Sequence, residues 1–149
     1  MPRWYFEDFT VGFTRTAQGP TVTAEEIKAF ATEFDPQPFH LDEEAAKTSL
    51  FGALCASGWH TASLCMRMLC DAYLSESASL GSPGIDELRW VKPVFAGDTL
   101  SAKMTVLDAR PSRSRPTIGS VRSRWEVYNQ NNELVMHMTG WGLFARRGA

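Results

Sequence analysis

Apolar residues recur in two different rhythms along this chain, and the rhythm changes near its middle. In the first half Ile27, Phe30, Ala31 and Phe34 repeat at helical spacing. Thr23 fits an N-cap ahead of them with Glu26 at the third helical position, so the pattern predicts a helix from Ala24 to Phe34. Pro36 and Pro38 disfavour its continuation. Asp42, Glu43 and Glu44 favour a short new helical turn because carboxylates suit a helix N-terminus, which leaves His40 on the connector between the two. A long helix then starts at Ser57 or Gly58. Its Leu64, Cys65, Met66, Met68, Leu69, Ala72 and Tyr73 cover too much circumference for an ordinary surface helix, so it wants apolar neighbours on several sides. Arg67 and Asp71 share its limited exposed face as a surface pair.

The second half changes to a period of two. Leu100, Ala102, Met104 and Val106 alternate with Ser101, Lys103 and Thr105, and Val121, Ser123, Trp125 and Val127 interleave with Arg122, Arg124, Glu126 and Tyr128. Leu134 to Phe144 follows as another strand after the Asn129-Gln130-Asn131-Asn132 turn, and Ile85 to Val91 supplies a shorter one. Trp4, Tyr5, Phe6, Phe9, Val11 and Phe13 suit a short strand or a cover for a core edge, interrupted by Thr14 to Pro20. Ser75 to Gly84 reads as a polar loop. Short turn-like links between the late strands favour antiparallel pairing, and the element order favours an α+β domain with a curved sheet wrapped around a helix. The 149 residues suffice for one domain, 1–149, and any deep pocket invites a second subunit.

Charge and cysteine usage narrow the classes. With 15 Lys+Arg against 17 Asp+Glu the formal net charge is -2, which gives no reason to expect nucleic acid or an acidic membrane surface as partner. Cys55, Cys65 and Cys70 are odd in number and lack metal-ligand pairing. No secretory segment opens the chain, so reduced thiols in the cytoplasm are the simpler expectation. Even the most apolar tract, Leu54 to Tyr73, contains Ser57, Arg67 and Asp71, against a membrane span of about 20 apolar residues.

The sharpest chemical lead is Asp35 and His40 in Phe34-Asp35-Pro36-Gln37-Pro38-Phe39-His40, a carboxylate and an imidazole presented together where the chain leaves a helix. The plainer alternatives are a helix-terminal carboxylate bonded to the following backbone and a neutral hydrogen-bonded loop histidine. His60 reads as a packed or pocket-rim residue. His137 lies opposite the Leu134-Met136-Met138 face, solvent-facing or at a subunit contact. His40, His60 and His137 lack compact ligand spacing, so no metal is expected. Arg110, Arg113 and Arg115, with Lys92 or Arg89, form either a docking region for phosphate groups or a merely solvated turn. Most of the aromatic and Met-rich stripe is packing, with Trp59 and Met66 as candidates for the boundary between core and pocket.

The chain resembles the MaoC-like acyl-CoA hydratase/dehydratase family of hotdog-fold proteins. The residues that carry the resemblance are Asp35-Pro36-Gln37-Pro38-Phe39-His40-Leu41-Asp42, Phe51-Gly52, Ser57-Gly58-Trp59-His60-Thr61-Ala62-Ser63, Trp90 through Leu100, Ser112-Arg113-Ser114-Arg115-Pro116 and Asn129-Gln130. The resemblance runs from about Phe9 to Phe144. It implies a hotdog fold and a homodimer, with catalytic roles for Asp35 and His40. At Gly58, main-chain N–H groups would face a thioester oxygen, unless that glycine serves only close packing. Ser63 and Gln37 would support the catalytic loop, although a helical Ser also bonds its own preceding turn. Trp59, Lys92, Arg113 and Arg115 would contact substrate. The family's glycine or serine before the aspartate is Phe34 here, its asparagine is Gln37, and the histidine before the helix-start glycine is Ser57.

The implied reaction is reversible, (R)-specific addition of water to a 2-enoyl-CoA, with no cofactor and with CoA as part of the substrate. Acyl-CoA thioester hydrolysis and a noncatalytic acyl-thioester binding or scaffold role are the alternatives.

Overall fold

A computed structural model describes residues 1–148. Five antiparallel strands form one sheet in the order β1-β3-β4-β5-β2: β1 (Thr14–Thr21), β2 (Ser79–Trp90), β3 (Thr99–Pro111), β4 (Ile118–Tyr128) and β5 (Leu134–Ala145). Four helices precede β2: α1 (Ala24–Phe34), α2 (Pro38–Leu41), α3 (Glu43–Lys47) and α4 (Gly58–Ala72).

The alternation in the second half works as expected. Leu100, Ala102, Met104 and Val106 of β3 and Val121, Ser123, Trp125 and Val127 of β4 are the buried members of their strands. They form the inner face on which α4 lays Cys65, Met68 and Leu69. Trp125 shows how a polar handle is managed there, since its indole N–H donates to the Tyr73 hydroxyl at 3.0 Å in the buried core. Close approach of α4 to β1 depends on Gly19, where an added Cβ would lie 2.3 Å from the Met68 sulfur.

Helix ends follow their local chemistry. The Thr23 hydroxyl accepts from the Glu26 amide at 3.1 Å, and Asp42 accepts from the Ala45 amide at 2.9 Å. No helix is long and apolar enough to cross a membrane among the described residues.

Three expectations need correction. The aromatic N-terminal segment forms no strand but covers a core edge, with Phe9 buried and a short 3-10 turn at Phe6–Asp8, and the strand lies in the stretch expected to interrupt it. β1 is an edge strand, which tolerates Gly19 and Pro20 where a central strand would not. The expected loop from Ser75 holds a 3-10 turn at Leu74–Glu76 and then the first half of β2. Gly81 and Gly84, at φ of 104° and 151°, carry the register shifts that let that strand run through polar sequence. His40 sits inside the one-turn helix α2 and not on an irregular connector. Pro38, which stops α1 from continuing, occupies the first turn of α2, where its fixed φ fits.

Only one side of α4 finds the apolar neighbours its sequence calls for. Trp59 and Met66 remain 60% and 46% exposed in the single chain.

Candidate functional site

α1 ends at Asp35, whose amide donates to the Ala31 carbonyl at 2.8 Å. The Gln37 amide closes onto the Asp35 carbonyl, also at 2.8 Å, and the His40 amide onto the Gln37 carbonyl at 3.0 Å. These tight local bonds turn both side chains to the same place. His40 Nε2 lies 3.4 Å from Asp35 Oδ2, with only 7% of the histidine side chain and 17% of the aspartate side chain exposed.

The other ring nitrogen fixes the imidazole. His40 Nδ1 is 2.6 Å from the Cys55 carbonyl oxygen, which can only accept, so Nδ1 carries the proton. In the neutral ring Nε2 is then a lone pair aimed at Asp35. Burial works to raise the Asp35 carboxyl, but the Ser57 side chain, the Gln37 side-chain amide and the nearby His40 together bring it below its ordinary value. Gln37 Nε2 donates to Asp35 Oδ1 at 2.6 Å, leaving Oδ2 as the oxygen that faces the histidine. With the ring neutral, the carboxylate and the imidazole present two acceptors 3.4 Å apart, an arrangement suited to a molecule with two hydrogens to donate.

His40 of this pair borders a cavity of about 310 Å³ lined also by Phe51, Gly58, Thr61, Trp90 and Lys92 among others. Gly58 is the first residue of α4, so its amide has no partner within the helix. Trp90 packs directly on it. An added Cβ at Gly58 would fall 2.4 Å from the Trp90 ring, whose N–H donates to the Gly58 carbonyl at 2.9 Å. The glycine therefore meets a packing demand and lines the cavity at once.

The remaining candidates divide. Lys92 lines the cavity and pairs with Glu133. Trp59 stands edge-on to Trp90, with ring centroids 5.1 Å apart, on the exposed side of α4. Ser63 is exposed, and its hydroxyl donates to the Trp59 carbonyl one turn back at 2.8 Å, so it braces its own helix and not the Asp35–His40 connector.

Arg113 and Arg115 lie in the turn between β3 and β4, next to the Pro111↔Gly119 end of that pair. The cavity lies at the opposite end, near the Trp90↔Met136 and Val127↔Met136 pairs. About 30 Å of strand separates the two ends, so these arginines do not reach the mouth of their own chain's cavity. His60 is buried and stacked on Phe30 at 4.7 Å; burial pulls its pKa down against the opposing charge of Glu26. His137 is half-buried on β5, between Glu126 of β4 and Arg89 of β2.

Sequence reasoning missed three participants: the Cys55 carbonyl, the Ser57 hydroxyl and Thr61 on the cavity wall. A main-chain oxygen carries no residue signature. The Cys55 thiol itself is pushed up to about 11 by burial and by the charge of Asp35, so it stays protonated and is no nucleophile at neutral pH. Among the described residues no three His, Cys, Asp or Glu side chains gather as a metal site.

Comparison with known proteins matches residues 10–127 to the MaoC like domain. A solved MaoC-like dehydratase from Rhodospirillum rubrum is 46% identical, with a TM-score of 0.90 over 97% of this chain and 99% of that one. The uncharacterized protein YdeM of Bacillus subtilis is 29% identical over 87% of this chain and 90% of its own length. A 3-hydroxybutyryl-CoA dehydratase of Methylorubrum extorquens is 31% identical over 74% of this chain and 69% of its own.

Proposed function

The chain belongs to the MaoC-like domain family and has its hotdog fold, and from that premise we propose that it catalyses reversible addition of water to the double bond of a 2-enoyl-CoA, giving the 3-hydroxyacyl-CoA. The observation that carries this reading is the pair of acceptors, Asp35 Oδ2 and His40 Nε2, 3.4 Å apart, with His40 lining the cavity.

A water donating one hydrogen to each acceptor keeps its oxygen lone pairs free for C3 of the enoyl group. As the C3–O bond forms, a water proton passes to the pair, and electron density moves through C2 onto the thioester oxygen. The Gly58 amide is the donor available to that oxygen. The pair then returns the proton to C2, and in dehydration the same steps run backwards. The name of the M. extorquens relative supports a CoA thioester as the substrate class.

The reading includes a homodimer. β2 is an edge strand exposed along nearly its whole length, and Trp59 and Met66 leave an apolar face on α4. Two copies related by a two-fold axis pair their β2 edges antiparallel, so the Trp90 end of one strand meets the Ser79 end of the other. Ser79 pairs with Phe144, and Phe144 with Gly119 beside the β3–β4 turn. Each protomer would therefore bring Arg113 and Arg115 to the end of the assembly where its partner's cavity opens, within reach of the phosphates of a long CoA.

The test is loss of conjugated-thioester absorbance across short, medium, branched and dicarboxylic enoyl-CoA substrates, with a parallel assay for free thiol. Enzyme-dependent water addition without thiol release is expected. Release of CoA from saturated acyl thioesters would instead assign hydrolysis, and saturable binding without turnover of any substrate would assign a scaffold role.

A further inference from the structure

Thr61 is 3% exposed and lines the cavity from the first turn of α4. A hydroxyl on a helix ordinarily returns to the carbonyl four residues back. Thr32 does so to the Lys28 carbonyl at 2.7 Å, and Ser63 to the Trp59 carbonyl at 2.8 Å. At Thr61 that route is taken. The Ser57 carbonyl already accepts two amides, from His60 at 2.9 Å and from Thr61 itself at 3.1 Å, which uses both of its lone pairs.

The Thr61 hydroxyl consequently has no hydrogen-bond partner among the described residues. His60 Nδ1, Arg122 Nε and His137 Nδ1 are unpartnered and also sealed from solvent, and Thr61 Oγ1 is not one of them. The small part of Thr61 that stays accessible therefore includes its oxygen, and the cavity is what it opens onto. An unbonded polar group so nearly buried is costly, a deficit that a bound ligand can make good.

Helix geometry narrows which part of a ligand that is. Residues three apart share a helix face, and helical side chains lean back over the preceding turn, so the Thr61 side chain lies toward Gly58, the first residue of α4. The Trp90 indole N–H holds the Gly58 carbonyl at 2.9 Å, which fixes that end of the helix. The partial positive charge of a helix N-terminus favours a negative oxygen there. His40 lines the same cavity, so a thioester whose oxygen rests at Gly58 extends its C3 toward the Asp35–His40 pair.

We propose that Thr61 is a catalytic residue: its hydroxyl donates to the thioester oxygen of the substrate, as a second donor beside the Gly58 amide. The inference rests on the hydratase reading for the charge that develops on that oxygen, while the hydrogen bond itself needs only a bound acyl thioester. As water adds at C3 and electron density moves onto the oxygen, the bond from Thr61 strengthens, so it stabilises the transition state more than the bound substrate.

Thr61→Val keeps the shape and deletes the hydroxyl, and Thr61→Ser keeps the hydroxyl. Because that hydroxyl bonds nothing in the free protein, Thr61→Val is expected to unfold at or above the wild-type temperature. The decisive readout is the infrared carbonyl band of bound butyryl-, octanoyl- and succinyl-CoA, each isotope-labelled at the thioester carbon, which requires no turnover. In Thr61→Val the band is expected at higher wavenumber than in the wild type, and Thr61→Ser returns it. On an enoyl-CoA that the wild type hydrates, kcat of Thr61→Val falls about 10–100-fold and KM changes little.

An unmoved band in folded Thr61→Val overturns the proposal whatever its turnover, and so does a wild type that binds none of the three thioesters. A kcat within about twofold of the wild type overturns the catalytic role equally. Should Thr61→Val not fold, Thr61→Ala carries the same comparison, and failure of both to fold overturns the proposal because the hydroxyl then supports the fold. A band that moves in a protein that hydrates no enoyl-CoA upholds the bond from Thr61 and removes the hydratase reading.

Discussion

Replacing Asp35 by Asn changes two atoms and little volume, and the surroundings dictate how the amide must turn. Gln37 Nε2 donates to Oδ1 at 2.6 Å, so the amide oxygen stays on that side. The amide nitrogen then takes the place of Oδ2, 3.4 Å from His40 Nε2, and offers an N–H to the lone pair that faced the carboxylate. Both acceptors for the attacking water are lost in one substitution. Removing a positioned general base costs about 10²–10⁴ in rate, which corresponds to about 2.7–5.5 kcal/mol on the barrier.

Folding should change far less. The amide escapes the burial cost of a charge while losing the contacts that hold the carboxyl ionised, and these two effects oppose each other. The assay is hydration of an enoyl-CoA under saturating and subsaturating substrate, together with urea unfolding of the same preparation. The expected pattern is a large fall in kcat with KM and stability nearly unchanged. A folded Asp35→Asn enzyme with kcat within about tenfold of the wild type would refute the role of the carboxylate.

Other outcomes follow from the same geometry. The Asp35 carboxyl titrates lower in the folded than in the unfolded protein, so its contribution to stability is present above the unfolded value of about 3.9 and is lost as pH falls through the folded value. Urea unfolding over a pH series should therefore show the advantage of wild type over Asp35→Asn shrinking on acidification, and a constant difference would contradict it. Gly58→Ala places a Cβ 2.4 Å from the Trp90 ring and should destabilise by about 1–3 kcal/mol in thermal unfolding, a loss mostly recovered when Trp90→Leu accompanies it. Tyr73→Phe strands the buried Trp125 N–H and should cost about 1–3 kcal/mol with an unchanged denaturant slope.

What could be read from the sequence depended on where each residue lies relative to the core. β3 and β4 are interior strands with one face against α4, so Leu100 to Val106 and Val121 to Val127 display the period of two plainly. β1 and β2 are edges. Their Gly19, Pro20, Gly81 and Gly84 read as loop residues because an edge tolerates irregularity that a central strand does not. Asp35, His40, Gln37 and Gly58 were legible from the resemblance, and three-dimensional proximity adds the distances. Which end of the sheet Arg113 and Arg115 occupy was not legible, because nothing in a local motif tells where its turn lies. Ser57 was legible as the start of the long helix and as a missing histidine, and the amide its hydroxyl caps follows from that helix start.

The imidazole of His40 hangs on a main-chain oxygen and not on a side chain. Where a carboxylate or a hydroxyl sets a histidine tautomer, a single codon change can remove it. A peptide carbonyl survives every substitution at its own position. Residue 55 is therefore free to drift among small buried side chains without turning the ring over, and the lineage can lose this orientation only by rebuilding the path of the chain between Leu54 and Ser57. The chemistry at His40 is heritable through backbone shape, which makes that short buried stretch the part of the site least exposed to point mutation.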